Sequence, residues 1–271
     1  MLPSIVLLTF VACAFASPLD QLPFHVPARD RIDPTSNSTR LVPLSLGAMS
    51  KCPDAEICET LIDRVLDTRI DKTGGKRVVG DLVNLELIYL AKENATARKE
   101  ERTYGDLVCL HGPSECHGNV QQLCAAAHWS SKSPASANGE IELETTAKKA
   151  HGEWKDWWNF VQCMNYGKRD KIGDLSTART CAKVVGREWT TAMEECAQDS
   201  SDSQGARLFK KSVARSNKLA IEKSCTIMIN ERKVCVHDGV WKDCSIGHEV
   251  GDFVAEIKRE YSRHNPTFTL E

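Results

Sequence analysis

The chain has 271 residues, with 35 Lys and Arg against 37 Asp and Glu for a net charge of -2. Without a basic excess there is no electrostatic case for nucleic acid or an anionic membrane surface as partner. Twelve cysteines at this density persist as disulfides only in an oxidising compartment.

Residues 1–16 form a short apolar run ending in Ala14-Phe15-Ala16. This reads as a signal peptide with its small-residue cleavage site, shorter than the roughly 20 residues of a membrane span. Cys13 leaves with it, so 12 minus 1 gives 11 cysteines in the mature chain. An odd number implies a free thiol or an intermolecular bond. Residues 17–40 are rich in Pro, Asp, Arg and Ser and lack hydrophobic period, so they read as a flexible leader. No later segment is apolar enough to cross a membrane. Asn37 and Asn94 each open an N-glycosylation sequon, consistent with export.

A single domain is expected over 41–271. Residues 41–46 read as a short strand. Cys52-Pro53 then opens a helix whose apolar positions Ile57, Leu61, Ile62, Val65 and Leu66 share one face, with Pro53 suited to the first turn. A Gly74-Gly75 turn leads to a buried strand at 82–90. Strand, helix and strand make a βαβ unit with parallel strands. From about 119 to 219 the apolar residues take helical spacing between widely spaced cysteines, so this part reads as a helical, disulfide-rich insertion. Trp154, Trp157 and Trp158 fall on one stripe there, read as core packing, and 130–138 is a small-polar loop. Strands return at 225–230 and 233–236. A His237-Asp238-Gly239 turn precedes an amphipathic helix using Val250, Phe253, Val254, Ile257 and Tyr261. The order places the chain in the α/β class.

The most informative segment runs C-L-H-G-P-S-E-C-H-G-N-V-Q-Q-L-C from Cys109 to Cys124. It resembles the signature of the gamma-interferon-inducible lysosomal thiol reductase family. That signature runs Cys, Gln, His, Gly, two free positions, Glu, Cys, two free positions, Asn, four free positions, Cys. It is met here by Cys109, His111, Gly112, Glu115, Cys116, Asn119 and Cys124, with Leu110 the one departure. The resemblance implies a thioredoxin-like fold with a helical insertion. It also implies reduction of disulfide-bonded proteins or peptides in acidic vesicles, with a small-thiol reductant and no cofactor. Structural disulfides at Cys109, Cys116 and Cys124 are favoured over a metal, because zinc sites prefer short Cys-x-x-Cys pairs. The signature is expected to be a disulfide-held loop, with His111, Glu115, His117 and Asn119 fixing it or facing solvent. Cys235 and Cys244 flank a turn and are expected to bridge each other.

In thioredoxin-like enzymes the nucleophile stands where the first strand enters the first helix, filled here by Ser50-Lys51-Cys52-Pro53-Asp54-Ala55. A thiol at a helix N-terminus meets unpaired N–H groups and the positive end of the dipole. Lys51 supports a thiolate there and Asp54 opposes it. The family's second cysteine, three residues on, is replaced by Ala55. Cys58 is the nearest substitute, but six residues of helix rise about 9 Å, beyond the roughly 7 Å that a disulfide spans between Cα atoms. Cys225 aligns with the cis-proline of thioredoxin-like folds, and is expected to pair with Cys52 as a redox partner or a static bridge. The expected activity is thiol-disulfide exchange by a monothiol route through Cys52. The rival is a secreted, disulfide-stapled binding protein that kept the scaffold and lost turnover. A third reading is a disulfide isomerase or chaperone.

Overall fold

V-P-L-S-L-G-A is almost wholly apolar, the pattern of a strand covered on both faces, and Val42–Ala48 forms the strand β1 with Val42, Leu44, Leu46 and Ala48 fully buried. The computed structural model describes residues 39–71, 77–130, 154–167 and 169–266. The expected signal peptide, most of the leader, Asn37, the Gly74-Gly75 turn and positions 131–138 of the small-polar loop lie outside the described residues.

Helix α1 (Pro53–Leu66) carries Pro53 in its first turn, where the missing N–H costs nothing. Its buried face is made by Ala55, Cys58, Glu59, Ile62, Val65 and Leu66. Ile57 is exposed, which corrects the predicted face. The helix is rotated toward Cys58 and Glu59 because each has a long-range partner, a disulfide and a hydrogen bond, that hydrophobic period cannot reveal. A 3-10 turn at Val79–Leu82 leads into β2 (Val83–Tyr89), which pairs parallel with β1 from Val42↔Val83 to Ala48↔Tyr89. Two strands of two residues each follow, β3 (Lys92–Glu93) pairing antiparallel with β4 (Leu107–Val108) across a long connection.

Five helices come next: α2 (Pro113–Trp129), α3 (Trp154–Tyr166), α4 (Leu175–Val184), α5 (Thr191–Ala197) and α6 (Gln204–Lys218). The helical part therefore begins at Pro113, six residues before the predicted boundary. Gly112 at φ 86° supplies the left-handed break, and Pro113 is pre-set for the first helical position. Trp154, Trp157 and Trp158 are buried, and the Trp158 Nε1–H donates to Asp63 on α1 at 2.8 Å. Cys124–Cys196 and Cys163–Cys181 staple these helices to one another.

The chain returns as β5 (Thr226–Ile229), β6 (Arg232–Asp238) and β7 (Val240–Lys242), followed by α7 (Val250–His264). Asn230 and Glu231, both with positive φ, make the tight β5–β6 turn, as two-residue hairpin loops require. Cys235–Cys244 is a disulfide across the β6–β7 end. The sheet order is β2-β1-β5-β6-β7, with β5 antiparallel to β1 and to β6. A parallel βαβ unit joined to an antiparallel hairpin and a final helix is a thioredoxin-like fold, here with a helical insertion. Phe253, Ile257 and Tyr261 on α7 are fully buried, each contributing roughly 1.5–3 kcal/mol by burial. A smaller apolar group, Ile88, Ile221 and Met228, packs apart from that main core.

Candidate active site

Cys52 is the N-cap residue of α1, the last extended residue before the helix turns. Its carbonyl accepts from the N–H groups of Ala55 and Glu56, which starts the helix. Among the described residues it is the one free cysteine. It is 6% exposed, and its thiol donates to the carbonyl oxygen of Ser224 at 3.5 Å. The position three residues on is Ala55, 1% exposed beneath the first turn.

The three residues before Cys52 are each held by a different neighbour. The Met49 N–H donates to Ser224 Oγ at 2.9 Å. The Ser50 N–H donates to Asn119 Oδ1 at 2.9 Å, and Ser50 Oγ–H donates to the Glu115 carbonyl at 3.1 Å. Lys51 Nζ donates to Ser114 Oγ at 2.9 Å and to the Asp170 carbonyl at 3.3 Å. On the far side, the Asp54 carboxylate accepts from His237 Nδ1 at 2.6 Å and from the Gly239 N–H at 2.9 Å. His237 itself exchanges backbone hydrogen bonds with Cys225 at 3.0 and 3.1 Å, and its ring packs edge-on against Trp241. The thiol therefore sits in a frame built from β5, α2 and the β6–β7 turn. A frame of this kind holds a nucleophile in one geometry and so limits which sulfur can reach it.

The signature segment supplies one side of that frame and is not a loop. From Pro113 it is helix α2, because Pro113 opens it and Val120, Cys124 and Ala125 are buried on one face. Cys109 is bonded to Cys116 across its start, whereas Cys124 leaves the segment to bond Cys196. Glu115 is fully buried and accepts from both the backbone N–H and the ring Nδ1 of His111. Asn119, also fully buried, reaches Ser50 with its oxygen and Cys109 Sγ with its nitrogen at 3.7 Å. His117 is partly exposed and faces Asp199 at 3.1 Å. The signature holds residue 50, two positions before the thiol.

Cys225 is bonded to Cys58, not to Cys52. The expected Cys52–Cys225 bridge is thus absent from this state. Cys58 points from α1 into the core at 0% exposure, toward the start of β5, where its Cα lies 6.2 Å from that of Cys225. Spacing along one helix counted against Cys58 as a partner for Cys52, unless the first turn unwinds, and was silent on Cys225. The peptide joining Ser224 to Cys225 is cis. Sequence reasoning passed over Gly118 and Ser224, and named Ser50 and His237 without their roles in the frame. Gly118 occupies a free position of the signature, yet a Cβ there would lie 2.6 Å from Ser50 Oγ and 2.4 Å from Ile172 Cγ2. No spacing rule marks such residues, since their partners are brought together only by the fold. Asn94 is exposed on the loop after β3, its Oδ1 accepting from Thr96. Among the described residues no three His, Cys, Asp or Glu side chains converge as a metal site requires.

The family model described as gamma interferon inducible lysosomal thiol reductase matches residues 43–185, more than half of the 271. No curated protein matches the chain in sequence. Among solved structures, alpha-DsbA1 of Wolbachia pipientis is 13% identical, with a TM-score of 0.44, over 86% of this chain and 96% of that one. MdbA, a thiol-disulfide oxidoreductase from Corynebacterium diphtheriae, is 13% identical with a TM-score of 0.42, over 82% and 86%. Reduced DsbA from Mycobacterium tuberculosis is 13% identical with a TM-score of 0.41, over 84% and 89%.

Proposed function

The chain belongs to the gamma interferon inducible lysosomal thiol reductase family, and on that premise we propose that it reduces disulfide-bonded proteins or peptides through Cys52. The observation that carries the reading is a free thiol at the N-cap of α1, held in a frame to which the family signature contributes Glu115 and Asn119. A thiolate there attacks one sulfur of a substrate disulfide and expels the other as a thiolate, leaving a mixed disulfide on Cys52. With Ala55 in the place of the family's second cysteine, a further thiol must open that mixed disulfide. In the simplest, monothiol route, a small-thiol reductant does so.

Localisation belongs to the same proposal. Disulfides of this number call for an oxidising route, and five are present among the described residues. None of the described helices is long and apolar enough to cross a membrane. Export by a signal peptide at 1–16, glycosylation at Asn94 and Asn37, and residence in acidic vesicles or outside the cell complete the reading.

The test is reduction of a disulfide-bonded protein by wild type and Cys52→Ser, at acidic and neutral pH with a small thiol supplied. Cys52→Ser is expected to fall to the rate of the small thiol alone. Equal rates for the two proteins would sink the enzyme reading and leave a stapled binding protein on the same scaffold.

A further inference from the structure

Behind the free thiol lies a disulfide that no bulk reductant can touch directly. Cys58 and Cys225 are both 0% exposed, whereas Cys52 is 6% exposed. Cys52 also touches the carbonyl of Ser224, the residue that precedes Cys225. Among the described cysteines, Cys52 is therefore the one that touches the residue next to the bridge without being fully buried. We propose that the Cys58–Cys225 bridge is the internal electron store of this site, loaded and discharged through Cys52. The proposal rests on Cys52 being the nucleophile, and it replaces the missing thiol at position 55 with a dithiol made by Cys58 farther along α1 and Cys225 at the start of β5.

The exchange balances at each step. In loading, Cys52 thiolate attacks Cys225 Sγ, forming a Cys52–Cys225 bond and expelling Cys58 as a thiolate. One small thiol attacks Cys52 Sγ and frees Cys225. A second attacks the small-thiol sulfur left on Cys52, freeing Cys52 and departing as the oxidised small disulfide. Two small thiols are thereby oxidised, and Cys58 and Cys225 are reduced to thiols. In discharge, Cys52 thiolate attacks the substrate disulfide and releases the first substrate thiol. Cys225 thiolate then attacks Cys52 Sγ and expels the second. Cys58 thiolate attacks Cys225 Sγ, which restores the Cys58–Cys225 bond and frees Cys52. The protons of Cys58 and Cys225 end on the two substrate thiols. Cys225, not Cys58, takes the bond to Cys52. Six helical residues separate Cys52 from Cys58, about 9 Å of rise against a disulfide reach of about 7 Å.

Two measurements on the full chain decide it. First, native protein is incubated with a small thiol, quenched in acid, then unfolded, alkylated and mapped by mass. Wild type is expected to label Cys58 and Cys225 together, before the other four bridges, and Cys52→Ser to slow that labelling at least tenfold. Equal labelling of the bridge in both proteins would overturn the store. Second, the double variant Cys58→Ser with Cys225→Ser is assayed with the protein substrate. It is expected to lose at least tenfold in turnover at low small-thiol concentration and to accumulate a covalent Cys52–substrate adduct. Unchanged turnover without adduct would overturn the store while leaving the monothiol reaction of Cys52 intact. If the double variant fails to fold, the labelling of Cys52→Ser decides alone. That variant removes no bond of the folded chain except the thiol's contact with Ser224.

Discussion

Asp54 carries two hydrogen bonds that tie the first turn of α1 to the β6–β7 turn, from His237 Nδ1 and from the Gly239 N–H. Asp54 is partly exposed and Gly239 exposed, so water can take over that N–H and the loss falls on the hydrogen bond to the buried His237, about 0.5–1.5 kcal/mol. Asp54→Ala is expected to lower stability by about that amount, measured by urea unfolding with the disulfides intact. Asp54→Asn keeps an oxygen in place and is expected to lose less than half as much. Equal losses would show that charge, not the acceptor, matters. In the sequence Asp54 is legible only as a negative charge beside a thiol, because its partner lies 183 residues away. Cys52 is legible at once, since a cysteine before Pro at a strand-to-helix junction marks the place. Cys58 and Cys225 are separated by 167 positions, and no local pattern couples them.

At the scale of elements, α2 is the mould against which the strand-to-helix junction sets. Its Asn119 accepts from Ser50, and its Gly118 leaves room for the Ser50 hydroxyl. Asn119→Ala leaves the buried Ser50 N–H without an acceptor, at about 1–3 kcal/mol. Gly118→Ala forces Ser50 or Ile172 to move. Both variants are expected to lower kcat/KM at Cys52 by more than their loss of stability alone explains, measured well below the unfolding midpoint. A fall in stability with kcat/KM unchanged would reduce α2 to packing. The long elements of this fold are legible because their apolar periods are clean, as in α7 with Phe253, Ile257 and Tyr261. The strands β3, β4 and β7 are two or three residues long, too short to show any period. The start of α2 was missed because the signature reads as a polar loop, while its Glu115 and Asn119 are in fact fully buried.

The whole molecule carries a buried acid between its two parts. Glu59 on α1 accepts from Asn165 on α3, its other oxygen has no hydrogen-bond partner among the described residues, and the buried Tyr89 of β2 adds no positive charge. Burial, opposed by the Asn165 hydrogen bond and assisted by the charge of Glu56, raises its pKa from 4.5 to about 7. The folded chain thus holds a proton that the unfolded chain has lost, so stability falls as pH rises from 4.5 to about 7 and levels above. The change is on the order of 3 kcal/mol at most. Wild type is expected to gain urea resistance on acidification from pH 7.5 to 5, and Glu59→Gln to gain much less. Matching slopes for the two proteins would overturn this account.

The Cys58–Cys225 bond has a topological consequence as well as a chemical one. A single backbone cut anywhere between those residues leaves two fragments that are still one covalent molecule. Cuts at 59–108 or 197–224 are spanned by this bond alone among the described disulfides, whereas cuts within 124–196 are also spanned by Cys124–Cys196. After such a cut the oxidised chain stays one covalent molecule, whereas the chain with this bond reduced does not. If the bond opens to donate electrons, the molecule is divisible only while it is ready to react, and each completed turnover makes it whole again.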